Sequence, residues 1–268
     1  MDVLLLKLTM TPVLIGVSAL VSRRWGPGLG GWLVAIPFTS GPITLVLSLS
    51  QGWRFAGDTA AGVLAGTGSE AIFCLAYAWA ASRLSWPASL AAGAAGFAVT
   101  TLALLHLPIS VAPALTVALG GVALALVLSP RSLRGSSRAL ADHPTGIGDI
   151  GTRMVVATGV VLLLTGAATL LGSTLTGLLS PFPVFGAVVM VSSQRLQGGG
   201  AGIAAARGLL WGLVGAALFF LVVATLLPRY GLICFAPAVV VDLLAQGATL
   251  PLARHGSPAR VPSPGAAV

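Results

Sequence analysis

Two carboxylates lie near the middle of long apolar segments of the sequence. Glu70 is close to the centre of segment 57–81, and Asp242 is close to the centre of segment 231–250. A charged side chain at the centre of a bilayer is costly and normally faces a protein interior or a water-filled cavity. Each carboxyl is therefore a candidate proton site, or a counter-charge for a cationic or polar substrate. The alternative is a neutral carboxyl that only hydrogen-bonds between helices.

Two further apolar segments are interrupted by proline and glycine at corresponding places. The candidate substrate or proton site residues there are Pro37, Thr39, Ser40 and Gly41 in the first, with a further hydroxyl at Thr44, and Pro183, Phe185 and Gly186 in the second. Proline removes a backbone donor and clashes with the preceding turn, so both segments are predicted to unwind. Paired breaks of this kind mark the binding sites of secondary transporters. The alternative is a pair of proline kinks whose freed backbone groups are satisfied by hydroxyls or neighbouring helices.

Segments 57–81 and 202–227 each carry a Gly-x-x-x-Gly motif. Small residues at this spacing let two helix backbones approach closely. The four glycines are assigned to helix packing rather than to a ligand: Gly62, Gly66, Gly208 and Gly212.

No residue pattern in the sequence indicates an enzyme. The three His and two Cys residues do not have metal-ligand spacing, and no Ser/His/Asp set is visible. The glycine-rich stretch 198–202 is not followed by the Gly-Lys-Ser/Thr of a phosphate-binding loop. We therefore expect no catalytic residue, no metal and no cofactor.

The composition excludes a soluble protein. Of the 268 residues, 56% are hydrophobic and only 7% are charged, whereas a soluble domain carries about 25% charged residues. The mean hydropathy is +1.00. The stretches long enough to span a bilayer as helices are 3–22, 31–49, 57–81, 88–106, 111–129, 151–171, 177–194, 202–227 and 231–250. They predict an all-α polytopic membrane protein with about nine transmembrane helices.

The net charge of +8 and the isoelectric point near 11.3 act as an orientation signal. With nine spans, eleven of the 14 Lys and Arg residues fall on one side, and only Lys7, Arg54 and Arg229 fall on the other. Basic loops stay in the cytoplasm, so the N-terminus is predicted outside and the C-terminus inside. We expect no nucleic-acid partner.

The sequence also contains an internal repeat. Shifted by 146 residues, segment 26–83 matches segment 172–229 without a gap, with 16 identities in 58 positions. Because five spans separate equivalent helices, the copies are predicted to face opposite ways, as in inverted-repeat transporters. The predicted units are repeat 1 (1–106), a linking transmembrane helix with a basic cytoplasmic loop (107–150), an inverted repeat 2 (151–250) and a disordered cytoplasmic tail (251–268).

Each predicted four-helix unit resembles a known family. The stretch GPGLGGWLVAIPFTSGPITLVLSLSQGWRFAGDTAAGVLAG and its second copy GSTLTGLLSPFPVFGAVVMVSSQRLQGGGAGIAAARGLLWG are similar to the small GlpM-like bacterial inner-membrane proteins. The resemblance implies a bacterial inner membrane. It carries over no activity and no site residue.

The repeat, the paired breaks and the central carboxylates favour a secondary transporter. Its substrate would be a small polar or cationic solute, exported or imported, with proton coupling as one option. The alternatives are a passive channel, or a membrane scaffold that assists envelope or polysaccharide synthesis. The expected partners are the lipid bilayer and an unidentified small molecule or ion, and a homodimer is one candidate assembly.

Overall fold

The protein is described here by a computed structural model that covers residues 17, 20–22, 24–37, 40–107, 110–130 and 177–255. The predicted spans 3–22 and 151–171, most of the basic loop and the end of the tail lie wholly or almost wholly outside these residues. Within them the chain is almost entirely helical and contains no β-strand. The all-α class is therefore confirmed, while the number of spans and their orientation stay predictions.

Eight α-helices lie in the described part of the chain. They are α1 (Pro27–Val34), α2 (Ser40–Gln51), α3 (Trp53–Ala81), α4 (Trp86–Leu105), α5 (Val111–Leu128), α6 (Val184–Gln197), α7 (Gly199–Tyr230) and α8 (Phe235–His255). A 3-10 turn, Gly231–Cys234, joins α7 to α8. Five helical segments in the described residues are long and apolar enough to cross a membrane, the longest being Gly199–Arg254.

The two longest helices, α3 and α7, pack against each other in opposite directions at the centre of the protein. Gly57 near the start of α3 lies against Pro228 at the end of α7, and Ala81 at the end of α3 lies against Gly199 at the start of α7. With 29 and 32 residues they are about 44 and 48 Å long. Both therefore exceed the hydrocarbon thickness of a bilayer, which is about 30 Å.

The other helices surround this pair. The α4 helix packs on α3, α8 packs on α7, and α5 contacts both long helices. Two side chains bind the carboxyl end of α5: the Trp79 indole N–H donates to the Leu128 carbonyl at 3.0 Å, and the Arg207 guanidinium donates to the Leu126 carbonyl at 3.1 Å. Since helix ends leave carbonyls without backbone donors, these bonds hold the predicted linking helix against both halves.

The α8 helix continues beyond the predicted boundary at residue 250. It ends at His255 and includes Pro251, so the predicted disordered tail is wrong for residues 251–255. Ala253 in the last turn is buried. Its packing stabilises this turn, although Pro251 removes one backbone donor.

Candidate functional site at the two helix breaks

The two predicted interruptions are present as helix breaks, and equivalent backbone hydrogen bonds border them in the described residues. The α1 helix ends at Val34 before α2 begins at Ser40, and a helical turn at 177–179 ends before α6 begins at Val184. Two backbone hydrogen bonds border each break, between residues that are equivalent under the 146-residue shift. They are Ile36 N–H to Leu33 O (3.3 Å) and Gly41 N–H to Pro37 O (3.0 Å), and Phe182 N–H to Leu179 O (3.1 Å) and Ala187 N–H to Pro183 O (2.7 Å).

The second break frees a backbone carbonyl. The Val184 amide donates to the Phe182 carbonyl at 2.8 Å, and Pro183 between them has φ −80° and ψ 61°, which is an inverse γ-turn. In a continuous helix the same amide would donate to the Ser180 carbonyl. The Ser180 carbonyl has therefore lost its helical partner.

Each short segment before a break packs on the long helix of the other repeat. A side-chain atom added at Gly31 of α1 would meet the Ala205 carbonyl of α7, and one at Gly177 would meet the Thr59 carbonyl of α3. These two contacts are equivalent, because Gly31 and Gly177 are 146 residues apart, as are Thr59 and Ala205. In one contact the short segment comes from the first repeat, and in the other it comes from the second. The exchanged packing positions both breaks at the α3–α7 interface.

The four packing glycines lie at these exchanged contacts. The Gly66 position faces the Leu178 carbonyl, and the Gly212 position, its equivalent, faces the Trp32 carbonyl. An added Cβ would lie 2.8 Å from the former oxygen and 2.6 Å from the latter. The contacts of the other two glycines are Gly208 with the Gly28 carbonyl and Gly62 with Gly177. A methyl group at these positions would push the short segments away from the long helices.

A cavity of about 70 Å³ lies between the two breaks. Six of the predicted site residues line it: Glu70, Pro37, Ser40, Pro183, Phe185 and Gly186. Glu70 reaches it from the middle of α3, and the others come from the breaks and the first residues of α2 and α6. The structure thus brings one central carboxylate to the place where both interrupted helices meet.

Equivalent positions of the two repeats line the cavity. Residues 34–37 and residues 180–183 both contribute to its lining. Three further equivalent pairs also line it: Ser40 with Gly186, Thr67 with Leu213, and Glu70 with Ala216. The lining is therefore equivalent in position but not in chemistry: the carboxylate comes from the first repeat alone, together with the hydroxyl residues Ser40 and Thr67, whereas the second repeat contributes the hydroxyl residue Ser180.

Two of the lining residues, Glu70 and Thr67, carry side-chain oxygens that can accept hydrogen bonds. The Thr67 hydroxyl donates to the Val63 carbonyl at 3.0 Å within α3, so its remaining lone pairs are available as acceptors. Among the described residues that line the cavity, none is basic. The arrangement can therefore bind a proton or a cation, and it offers no positive group to an anion.

Asp242 is not at this cavity. It is only 4% exposed and lies on α8 against Gly215 of α7. The Gln246 amide donates to its carboxyl at 3.3 Å and to the Gly212 carbonyl at 3.0 Å. Neither Asp242 nor Gly215 is among the described residues that line the cavity. Asp242 lies at the contact between α7 and α8 and not beside Glu70.

The remaining predicted site residues lie beside the cavity or outside the described residues. Thr39 is outside them. Gly41 packs against the Phe219 ring, and the Thr44 hydroxyl donates to the Ser40 carbonyl at 2.8 Å. No group of three or more His, Cys, Asp or Glu side chains that could hold a metal ion is found in the described chain.

Two polar residues of the cavity were missed in the sequence. Thr67 precedes Glu70 by three positions, a spacing that places both on one face of a helix, so it could have been found. Ser180 matters through a carbonyl freed by the proline-containing turn, and its residue type carries no such signal.

The comparisons with known proteins gave no match. No protein-family model matches the chain, and neither the curated proteins nor the solved structures give a match. The resemblance to the GlpM-like family stays a prediction.

Proposed function

We propose that this protein is an integral membrane secondary transporter for a small polar or cationic solute, with Glu70 as its ion-binding carboxyl. The observation that supports this proposal is the cavity in which both helix breaks meet Glu70. Secondary transporters with inverted repeats place substrate and coupling ions near the bilayer midplane, at discontinuous helices from both halves. The proposal includes nine spans in a 4+1+4 arrangement, with the N-terminus outside.

The packing suggests how such a transporter would move. The cavity lies between the halves, and its walls are equivalent positions of the two repeats. Rocking of one half against the other would therefore open the same cavity first to one side of the membrane and then to the other. A proton or cation on Glu70 would neutralise the carboxylate during this movement, when a bare charge would be costly.

The alternatives make different predictions in the same assay. A passive channel should conduct without a driving gradient and faster than alternating access allows, and a scaffold should produce no flux. The one-sided chemistry of the cavity favours a transporter, because a symmetric pore gains nothing from a carboxylate in only one repeat. The bacterial inner membrane remains the proposed location.

Uptake into proteoliposomes tests the proposal. Purified protein is reconstituted with a pH indicator inside, and a panel of polar and cationic solutes is added under an imposed pH gradient. We expect at least one solute to cause proton flux with the intact chain and none to do so with Glu70→Gln. Asp58→Asn removes an exposed carboxylate near the start of α3 and serves as the matched control. Flux that persists unchanged in Glu70→Gln would exclude Glu70 as the coupling residue.

A further inference from the structure

The size of the cavity restricts what it can hold. Pockets for organic ligands of drug size usually measure about 300–1,000 Å³, whereas this cavity measures about 70 Å³. A volume of this order accommodates a few water molecules. A bare or partly hydrated inorganic ion fits the same space, which is well below the usual size of a pocket for an organic ligand.

The chemistry of the cavity selects the sign of the ion. The polar groups of the lining residues are the Glu70 carboxylate, the hydroxyls of Ser40, Thr67 and Ser180, and backbone groups. The Thr67 hydroxyl already donates its proton to the Val63 carbonyl, and the Ser180 carbonyl has lost its helical donor. Carboxylate, hydroxyl and carbonyl oxygens all carry lone pairs, and hard cations are bound by such oxygens. No basic side chain lines the cavity in the described chain.

The number of charged side chains in the cavity lining indicates the charge of the cation that it can bind. Glu70 is the only titratable or charged group among the described residues lining the cavity, and those from α1, α2, α6 and α7 contribute none. Cys74, one turn further along α3, is fully buried. A divalent cation would leave one uncompensated positive charge among apolar and aromatic walls, which is costly. One carboxylate balances one monovalent cation.

We propose that the cavity at the two helix breaks binds a single small alkali cation, of the size class of Na⁺, in exchange for a proton on Glu70. The exchange is balanced: the protonated Glu70 carboxyl and Na⁺ give the Glu70 carboxylate with bound Na⁺ and a released proton. This inference rests on the proposed transport function and names the class of its cationic substrate. A carboxyl that holds either ion, but not both, would couple the flux of one to the opposite flux of the other.

The exchange can be measured without transport. Purified intact protein in weakly buffered detergent solution receives NaCl, with choline chloride at equal ionic strength as the control. We expect Na⁺ to release up to one proton per chain and to raise the thermal unfolding midpoint in a saturable way, because a ligand stabilises the state that binds it. Lowering the pH by one unit should raise the half-saturating Na⁺ concentration by up to tenfold, since protons compete for the same carboxyl.

Two variants assign the response to the cavity. Glu70→Gln should abolish both responses while Asp58→Asn keeps them. Thr67→Val retains the carboxylate and removes one acceptor, so it should weaken Na⁺ binding by about tenfold. It also keeps the test decisive if Glu70→Gln does not fold. An equal response to choline, or an undiminished Na⁺ affinity in Thr67→Val, would contradict the inference.

The results also separate this inference from the proposed function. Proton-driven flux of another solute, without any Na⁺ response, would overturn the alkali-cation assignment and leave the transporter intact. Na⁺ binding at Glu70 without any flux in proteoliposomes would support the cation site and overturn transport.

Discussion

Gly52 and Gly198, which are 146 residues apart, adopt the same unusual backbone conformation, with φ of 88° and 89° and ψ of 164° and 176°. This region of backbone space is accessible almost only to glycine. Each residue alone forms the turn into a long central helix, α3 or α7. The identical Gln-Gly pairs of the repeat therefore correspond to identical turns in the structure.

Cysteine labelling at the residues before these turns tests the inverted topology. Gln51 and Gln197 are both exposed and are equivalent in the repeat. With the proposed orientation, Gln51→Cys should react with an impermeant maleimide added to intact cells, and Gln197→Cys should react only after the membrane is permeabilised. Both variants carry the same substitution in the same local sequence, so each is the control for the other. Labelling of both from one side would exclude inversion.

Alanine at the packing glycines should destabilise the protein. Gly66→Ala and Gly212→Ala each place a methyl group against a carbonyl of the other repeat's short segment, and overpacking of this kind costs about 1–3 kcal/mol. Unfolding monitored in detergent measures the loss. The control is Gly120→Ala in α5, because no atom lies within 4 Å of its added Cβ, and its stability should be unchanged or rise by up to about 1 kcal/mol. Equal effects at all three positions would contradict the exchanged packing.

A buried hydrogen-bond network at the end of α3 gives a third prediction. The Tyr77 hydroxyl donates to Gln194 Oε1 at 2.6 Å, and Gln194 Nε2 donates to the Leu84 carbonyl at 3.0 Å. Tyr77→Phe removes the donor and leaves a buried acceptor without a partner, so the free energy of unfolding should fall by about 1–3 kcal/mol. Tyr230→Phe is the control because Tyr230 is 62% exposed. A loss at Tyr230 equal to that at Tyr77 would count against the network.

The native cysteines give a fourth prediction. Cys74 and Cys234 are both buried in the structure, at 0% and 2% exposure. Neither thiol should react with N-ethylmaleimide in the folded protein, and both should react after denaturation, as measured by the mass of the intact chain. Rapid modification of Cys74 in the folded protein would show that α3 is open to solvent one turn from Glu70.

The helix breaks were predictable from the sequence, because the proline positions and the 146-residue repeat locate both of them. Which central carboxylate lies beside the breaks was not predictable, because Glu70 and Asp242 lie at similar depth in their segments. The exchanged packing was not predictable in this way, because a contact such as that between Gly31 and Ala205 joins residues distant in the chain. Hydropathy indicates which segments are buried and does not say which surfaces meet.

Asp242 also shows that hydropathy does not predict which surfaces meet. Asp242 lies about as deep in its apolar segment as Glu70 does, so depth alone makes both residues equal candidates for the site. The helix face that Asp242 occupies distinguishes it from Glu70. Asp242, Gln246 and Thr249 recur at helical spacing and are all buried. The first two lie against α7, and the Thr249 hydroxyl accepts a hydrogen bond from the Trp32 indole of α1 at 3.2 Å. The spacing of Asp242, Gln246 and Thr249 is visible in the sequence and is typical of a polar face that contacts other helices.

The exchanged short helices also limit how this architecture could have begun. The short segment of each repeat packs on the long helix of the other, and the two long helices run in opposite directions. A single-repeat ancestor packed in the same way would need a second copy of itself in the opposite orientation. An ancestor of this kind would be a dual-topology homodimer, with no fixed bias of basic loops toward one side. Fusion into one chain would then let equivalent positions of the two repeats differ, as they do at Glu70 and Ala216 in the cavity lining.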